Sequence, residues 1–184
     1  MSFYSPIELE TLGLKSYGKN VLISRHARIN NPGNISIGNN VRIDDFCILS
    51  GGSQPFVIDD YIHISAGVYI YGQNGIHIKS FSNISSGAKI FTQSDTFNGD
   101  FLIGPTVPME HRCVYGCSLV IEKHVVIGAG CIVLPEAKFG EGAAIGANSL
   151  VKSECLEWSI YAGSPAKFIK KRSKGLLNLT IDTQ

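Results

Sequence analysis

An aliphatic or aromatic residue recurs at every sixth position through most of this chain. Tyr17, Ile23 and Ile29 open the series, which continues with Ile37, Ile43 and Leu49, then Ile58, Ile64 and Ile70, then Ile78, Ile84 and Ile90. Within each set of three the spacing is six; between sets it stretches to eight or nine. After Ile90 the beat stops for residues 93–118, a polar stretch containing Ser94, Asp95 and His111. It resumes at Ile121, Ile127, Val133, Phe139, Ile145 and Val151, with no further stretching. A small residue often follows the beat, as at Gly18, Gly38, Ser65, Ser85, Gly128, Gly140 and Gly146.

A period of six fits neither an isolated helix nor a flat amphipathic strand, which repeat at 3.6 and two. It fits a solenoid whose coil has three short strands, each placing an aliphatic residue inward at the same point. Hexapeptide periodicity of this kind signals a parallel β-helix, in which stacked coils bury a continuous column. Six coils at roughly 4.8 Å each make a prism on the order of 25–30 Å tall. The stretched spacings place extra residues 31–36, 51–57 and 72–77 at one corner, and the long loop leaves from that corner too. Insertions gathered on one face of a solenoid mark a binding face, and loops of this length are uncommon unless functional or disordered.

The ends read differently. Ser5, Pro6 and Glu8 form a helix-start pattern, with Gly13 as a stop, predicting a short helix over about residues 6–12. At the other end Ser164 and Pro165 look like the cap and first turn of a C-terminal helix, followed by the basic cluster Lys167, Lys170, Lys171 and Arg172. The expected organisation is one domain. A helical segment (1–16) precedes a β-helix (17–161) with an inserted loop (93–118), and a C-terminal helix and tail (162–184) follow.

Composition narrows the class. With 184 residues, 44% hydrophobic and 17% charged, the chain reads as globular. A net charge of +1 offers no global basic field for nucleic acid. No apolar run reaches membrane-spanning length and the N-terminus lacks a signal-peptide core, so a cytoplasmic location without membrane insertion is expected. The five cysteines, Cys47, Cys113, Cys117, Cys131 and Cys155, are scattered and odd in number, so reduced thiols are expected. Cys113 and Cys117 have no second Cys or His pair at zinc-finger spacing, and no metal is expected.

The hexads Ile127-Gly128-Ala129-Gly130-Cys131-Ile132 and Ile145-Gly146-Ala147-Asn148-Ser149-Leu150, closed by Ala162-Gly163-Ser164-Pro165-Ala166, resemble the hexapeptide-repeat acyltransferases. Over residues 17–172 the layout resembles the sugar acetyltransferase branch typified by maltose and galactoside acetyltransferases. Within that branch it is similar to the enzymes of surface-polysaccharide (O-antigen) synthesis that act on nucleotide-linked dideoxy amino sugars such as dTDP-4-amino-4,6-dideoxyglucose. The resemblance implies an all-β, left-handed parallel β-helix, an exception to the right-handed crossover rule. It also implies a homotrimer with active sites between prisms, acetyl-CoA along the cleft and a loop reaching over a neighbour.

The resemblance puts Asp95 where the family usually carries a catalytic histidine, with Ser94 beside it. A hydroxyl acceptor profits from a base with a pKa near 7, which an ordinary aspartate, near 3.9, does not supply. A neutral amine needs less help, because it can lose its proton after attack. The substitution therefore favours N-acetylation of an amino sugar, with O-acetylation of a hydroxyl as the alternative; a turn-capping role for Asp95 is the plainer reading. His63, Tyr71, Gln73, Asn74 and His111 are candidate acceptor-binding residues, and His77 lies near the same corner. For acetyl-CoA the resemblance points to Gly128, Ala129, Gly146 and Ala147, small residues that admit pantetheine. Ser164 and Pro165 would offer N–H groups to phosphate, and Lys152, Lys167 and Lys170 point charges. Two rivals remain at this stage. A metal-dependent lyase of the γ-carbonic-anhydrase type needs three converging histidines, which this spacing does not resemble. An inert β-helix scaffold leaves the long loop without a purpose.

Overall fold

The computed structural model describes residues 2–179 and is a parallel β-solenoid with three faces. The first face runs Ser16–Tyr17, Ile35–Ile37, Phe56–Ile58, Ile76–Ile78, Leu119–Ile121, Lys138–Phe139 and Glu154–Cys155. The second runs Leu22–Ile23, Val41–Ile43, Ile62–Ile64, Asn83–Ile84, Val126–Ile127, Ala144–Ile145 and Ser159–Ala162. The third runs Arg28–Asn30, Ile48–Gly51, Tyr69–Gly72, Lys89–Phe91, Ile132–Val133 and Leu150–Val151. The third face's six strands define six complete coils, and the other two faces begin a seventh. The architecture is consistent with the left-handed β-helix that the resemblance implies.

Ladder register follows the sixfold beat. Ile78 aligns with Ile58 below and Ile121 above, Ile84 with Ile64 and Ile127, and Ile90 with Ile70 and Val133. The 26-residue interruption thus leaves the stacking untouched: the coil after the loop pairs as if the loop were absent. Apart from the partly buried Ile29, ladder residues from Ile23 upward are buried, with Ile23, Ile43, Leu49, Ile64, Ile70, Ile84 and Ile90 at 0% exposure. Most coils bury a second row two residues earlier, such as Val41 with Ile43, Ile62 with Ile64 and Val68 with Ile70. Tyr17 departs from the expected column and is 36% exposed, because its strand begins the stack and has no coil beneath it. Part of that open end is closed by the N-terminal helix, Pro6–Glu10, whose Leu9 joins the core. The helix ends three residues before the predicted stop at Gly13, where Thr11 caps it through a 2.7 Å bond to the Glu8 carbonyl.

Tight corners repeat one backbone shape. Between the first and second faces a left-handed residue recurs at Asn20, Asn40, Tyr61, Phe81, His124, Gly142 and Trp158. Left-handed backbone is unfavourable for bulky residues, and here their rings stack: Tyr61 on Phe81 at 5.0 Å and Phe81 on His124 at 5.2 Å. Gly142 is required at its rung, since a Cβ there would lie 2.6 Å from the Trp158 ring. The corner between the third and first faces is looser. It carries the segments 31–34, 52–55 and 73–75 and, on the fourth coil, the long loop.

The expected C-terminal helix is not there. Lys167–Lys171 is a strand that runs antiparallel along Ser159–Ala162, after a reversal through Gly163 and the cis Ser164–Pro165 peptide. The last strand of the second face would otherwise present unpaired backbone groups, and an antiparallel return covers them. Arg172 then anchors the segment, its guanidinium donating to the carbonyls of His124 and Gly142 at 2.8 and 2.9 Å. Residues 180–184 of the predicted tail lie outside the described residues.

Ile84 sits mid-stack at 0% exposure, paired above and below. Ile84→Ala is expected to lower unfolding free energy by about 3 kcal/mol, the middle of the range for such truncations. Denaturant titration reads this as a lower midpoint with an unchanged slope.

Candidate active site

The long loop begins as a two-stranded hairpin. Gln93–Asp95 pairs antiparallel with Val114–Gly116, and Asp95 lies opposite Val114. Its stem is clamped to the coil below. The Thr92 hydroxyl donates to the Tyr71 carbonyl at 3.2 Å and accepts from the Asn74 backbone N–H at 2.9 Å, while the Asn74 amide donates to the Thr92 carbonyl at 3.2 Å. Gly116 closes the stem at a point where a Cβ would meet the Thr92 carbonyl oxygen at 2.2 Å. The hairpin therefore leaves the prism at a fixed angle.

Asp95 is held by Arg112 across this hairpin. The guanidinium donates to Oδ1 through Nη2 at 2.8 Å and Nε at 3.0 Å, and both side chains are mostly buried, at 14% and 12% exposure. Oδ2 accepts only a long contact, 3.3 Å, from the Gly104 backbone N–H among the described residues. One carboxylate oxygen is thus fixed and the other retains accepting capacity.

A cleft of about 540 Å³ opens between the hairpin and the outer surface of the third face. Asp95, Ser94, Gln93, Arg112 and Val114 form one wall; Ser50, Tyr69, Tyr71, Gln73, Lys89 and Phe91 form the other. The second wall comes from strand alternation: residues flanking the buried Leu49, Ile70 and Ile90 point out, so Ser50, Tyr71 and Phe91 stack in register. The Tyr71 and Phe91 rings lie 5.3 Å apart and nearly parallel, at 10°. The Lys89 ammonium lies 5.9 Å from the centre of the Tyr69 ring.

Of the candidate acceptor residues, the structure brings Tyr71 and Gln73 to this cleft with Asp95 and Ser94. Asn74 is spent on clamping Thr92. His111 lies at the far end of the loop beside Phe101, Leu102 and Glu110. His77 is on the first face, bonded to Asp59 at 2.9 Å. His63 is on the second face, where Nε2 meets Asp44 at 2.8 Å and Nδ1 lies 3.5 Å from the Ser65 hydroxyl. Burial pushes the Asp44 carboxyl up, but bonds from Arg42 and His63 outweigh it and hold the group below its ordinary value. Arg112, Lys89, Tyr69 and Phe91 were not among the sequence candidates. The twenty-residue offset from Tyr71 to Phe91, one coil, was a readable signal for that pair; nothing local marks Arg112 as the partner of a residue 17 positions away.

The candidate coenzyme residues gather higher on the prism. Gly128, Ala129, Gly146 and Ala147 follow the second-face strands of the fifth and sixth coils, at the corner leading to the third face. They approach closely: a Cβ on Gly128 would meet the Ile145 carbonyl at 2.6 Å and the Ala147 nitrogen at 2.7 Å. Lys152 follows Leu150–Val151 and is exposed; Lys167 and Lys170 are exposed on the antiparallel return. Ser164 and Pro165 sit in a reversal, so the expected helix-terminus phosphate site is absent. The Asp95 cleft contains none of this set. Among the described residues, no three His, Cys, Asp or Glu side chains cluster to hold a metal.

A hexapeptide-repeat solenoid with a mid-chain acidic hairpin and a small-residue corner above it defines an acyltransferase of the hexapeptide-repeat type, and the chain belongs to that family. It is 45% identical over 179 residues to the dTDP-4-amino-4,6-dideoxy-D-glucose acyltransferase of Escherichia coli, covering 97% of this chain and 93% of that one. The N-acyltransferase AntD of Bacillus cereus, solved with dTDP and 3-hydroxybutyryl-CoA, superposes with a TM-score of 0.92 at 48% identity, covering 96% of this chain and 93% of that one. A serine variant of AntD was solved with dTDP-4-amino-4,6-dideoxyglucose and coenzyme A, at the same TM-score, 0.92, and coverage, 96% and 93%, with 47% identity. WbbJ of Escherichia coli K12, named for O-acetyl transfer in lipopolysaccharide biosynthesis, is 30% identical over 154 residues, 78% of this chain and 74% of that one. No protein-family model matches the chain.

Arg112→Ala leaves the mostly buried Asp95 carboxylate without its charged partner. The loss is expected to be about 2 kcal/mol, typical of hydrogen bonds to charged groups. Hydrogen exchange should show it as faster exchange at Thr96 and in Val114–Gly116, with the coil strands unchanged.

Proposed function

We propose that this protein transfers an acetyl group from acetyl-CoA to the amino group of a nucleotide-linked dideoxy amino sugar, with Asp95 handling the acceptor amine. The observation that carries this reading is the Asp95 carboxylate, fixed through one oxygen by Arg112 and free to accept through the other at the mouth of a sugar-sized cleft. One relative is named as a dTDP-4-amino-4,6-dideoxy-D-glucose acyltransferase, and a serine variant of AntD was solved with dTDP-4-amino-4,6-dideoxyglucose.

In the proposed step the neutral amine attacks the thioester carbonyl. A C–N bond forms, and the C–S bond breaks as the tetrahedral intermediate collapses. The proton leaves the amine for Asp95 Oδ2, and the coenzyme departs as thiolate to be protonated in turn. Ser94 lies beside Asp95 in the cleft wall and is placed to contact the acceptor. Backbone donors near the hairpin stabilise the oxyanion.

The small-residue corner and the Asp95 cleft occupy different parts of one prism. This separation supports a homotrimer in which the coenzyme lies on one protomer and meets the acceptor held by the next. A location in the cytoplasm, where acetyl-CoA and nucleotide sugars are made, fits this activity. Among the described residues, no helix is long and apolar enough to cross a membrane.

Two measurements test the proposal. Incubation with acetyl-CoA and dTDP-4-amino-4,6-dideoxyglucose should release free thiol and add one acetyl group to the sugar by mass spectrometry; acetylation only of amine-free sugars would shift the assignment to O-transfer. Asp95→Ala is expected to lower kcat at least about tenfold, or about 1.4 kcal/mol in the barrier, with coenzyme binding retained. Unchanged turnover would reduce Asp95 to a structural residue.

A further inference from the structure

We propose that His63, seated on Asp44, is the proton source for the coenzyme thiolate that leaves during transfer, acting through the Ser65 hydroxyl. This rests on the acyl-transfer reading above and on its placement of the coenzyme along the Gly128 and Gly146 corner. In that reading the amine gives its proton to Asp95. The departing sulfur needs a proton from elsewhere, and these three residues lie on the second face, outside the Asp95 cleft.

Gly146, Gly128, Ser85, Ser65 and Asp44 form one column, each following the buried second-face residue of its coil. Each backbone N–H donates to the coil above: Asp44 to the Ile64 carbonyl at 3.0 Å, Ser65 to Ile84 at 2.9 Å, Ser85 to Ile127 at 2.8 Å and Gly128 to Ile145 at 2.9 Å. Successive rungs are therefore about 4.8 Å apart. Lys152, Lys167 and Lys170, the phosphate candidates, lie at the upper end of the prism. A pantetheine arm hung from them runs down past the two glycines. Its sulfur then arrives where the column turns polar, at Ser85 and Ser65.

His63 stands beside that column with Nδ1 on the Ser65 side, 3.5 Å from the hydroxyl, and Nε2 on Asp44 Oδ2 at 2.8 Å. Asp44 is the counter-ion a protonated ring needs. Its side chain is 7% exposed, and Arg42 donates to its other oxygen at 2.7 Å. Burial pushes the carboxyl up, but bonds from Arg42 and His63 outweigh it and keep the group charged. The coil beneath the ring supplies Arg42, in register with His63, and Asp44 and Asp45, the last bonded to Ser24. The coil above supplies neutral Asn83, bonded to Ser85 at 3.3 Å. A second pair, His77 with Asp59 at 2.9 Å, lies on the first face, away from the column, and its carboxylate is 32% exposed. The step balances. As the C–S bond breaks, the Ser65 hydroxyl gives its proton to the sulfur and takes one from Nδ1 of the doubly protonated ring. His63 is left neutral with Nε2–H on Asp44. Asp95 then releases the amine's proton to water, and His63 regains one from water.

The test is kcat against pH in the intact protein, with saturating acetyl-CoA and dTDP-4-amino-4,6-dideoxyglucose. The parent kcat should fall on the alkaline side, as His63 loses its proton. His63→Gln should lower kcat about a hundredfold at neutral pH, the lower end for a positioned general acid, and abolish that alkaline fall. Its KM for acetyl-CoA should stay within about threefold of the parent. Asp44→Asn removes the counter-ion and should move the alkaline fall to lower pH. Ser65→Ala should lower kcat at least about tenfold. Imidazole should restore part of the turnover of His63→Ala and none to Asp95→Ala. His77→Gln should behave as the parent. A thermal shift with acetyl-CoA reports in each variant that the fold and the coenzyme site are intact. A folded His63→Gln that keeps kcat within about threefold and retains the alkaline fall would overturn the proposal and leave the acyl-transfer reading standing. Should His63→Gln fail to fold, Ser65→Ala decides, and unchanged turnover there overturns it. A parent that transfers no acyl group at any pH would remove both readings.

Discussion

The column of aliphatic side chains inside the prism governs everything on its outside. At most rungs the residue on the beat and the one two positions earlier are both buried, and because side chains alternate, a slip of one residue would turn the buried row outward. Register is therefore held tightly from coil to coil. The outward residues inherit it: Ser50, Tyr71 and Phe91 stand in line because Leu49, Ile70 and Ile90 must. The same holds on the second face, where Arg42, His63, Asn83, Val126 and Ala144 form one row.

That rigidity explains how the chain tolerates a 26-residue excursion in mid-stack. The strands on either side, Ile76–Ile78 and Leu119–Ile121, pair directly, so the insertion has only to leave and return at one corner. Entropy grows slowly with loop length, and the first turn of the excursion is secured by the hairpin and by Thr92 with Asn74. The Asp95–Arg112 pair then does for the hairpin what the aliphatic column does for the coils. It sets one geometry for a group that would otherwise explore several. A mostly buried carboxylate needs such a partner, and using only Oδ1 for it leaves Oδ2 for chemistry.

Some of this was legible from residue order and some was not. The sixfold beat located the three faces, the loose corner and the loop, because one buried position per strand is occupied almost throughout by Ile, Leu or Val. The second buried row escaped notice. It varies through Val41, Cys47, Ile62, Val68, Ser82, Ala88, Val125 and Ser149, since space there differs between coils. Ser164-Pro165 reads locally as a helix start, yet the decisive demand was tertiary: an open strand edge at Ser159–Ala162 needed a partner. Local propensity is a weak prior against such a demand. Asp95 was singled out through its position against the family pattern. Arg112 and Lys89 were not, because their contacts depend on pairings across a hairpin and between coils that no short window contains.

The level at which the loop is inserted also has a logic. Below it, outward residues are aromatic or polar: Ser50, Tyr69, Tyr71 and Lys89 on the third face, Arg42 and His63 on the second. Above it, the second-face corner is stripped to Gly128, Ala129, Gly146 and Ala147, where backbones nearly touch. On the proposed reading a nucleotide sugar and a pantetheine arm need these two different surfaces. On that reading the loop belongs at the level where one surface gives way to the other. A loop at either end of the prism could attend one substrate alone. Between the fourth and fifth coils, Asp95 stands at that boundary.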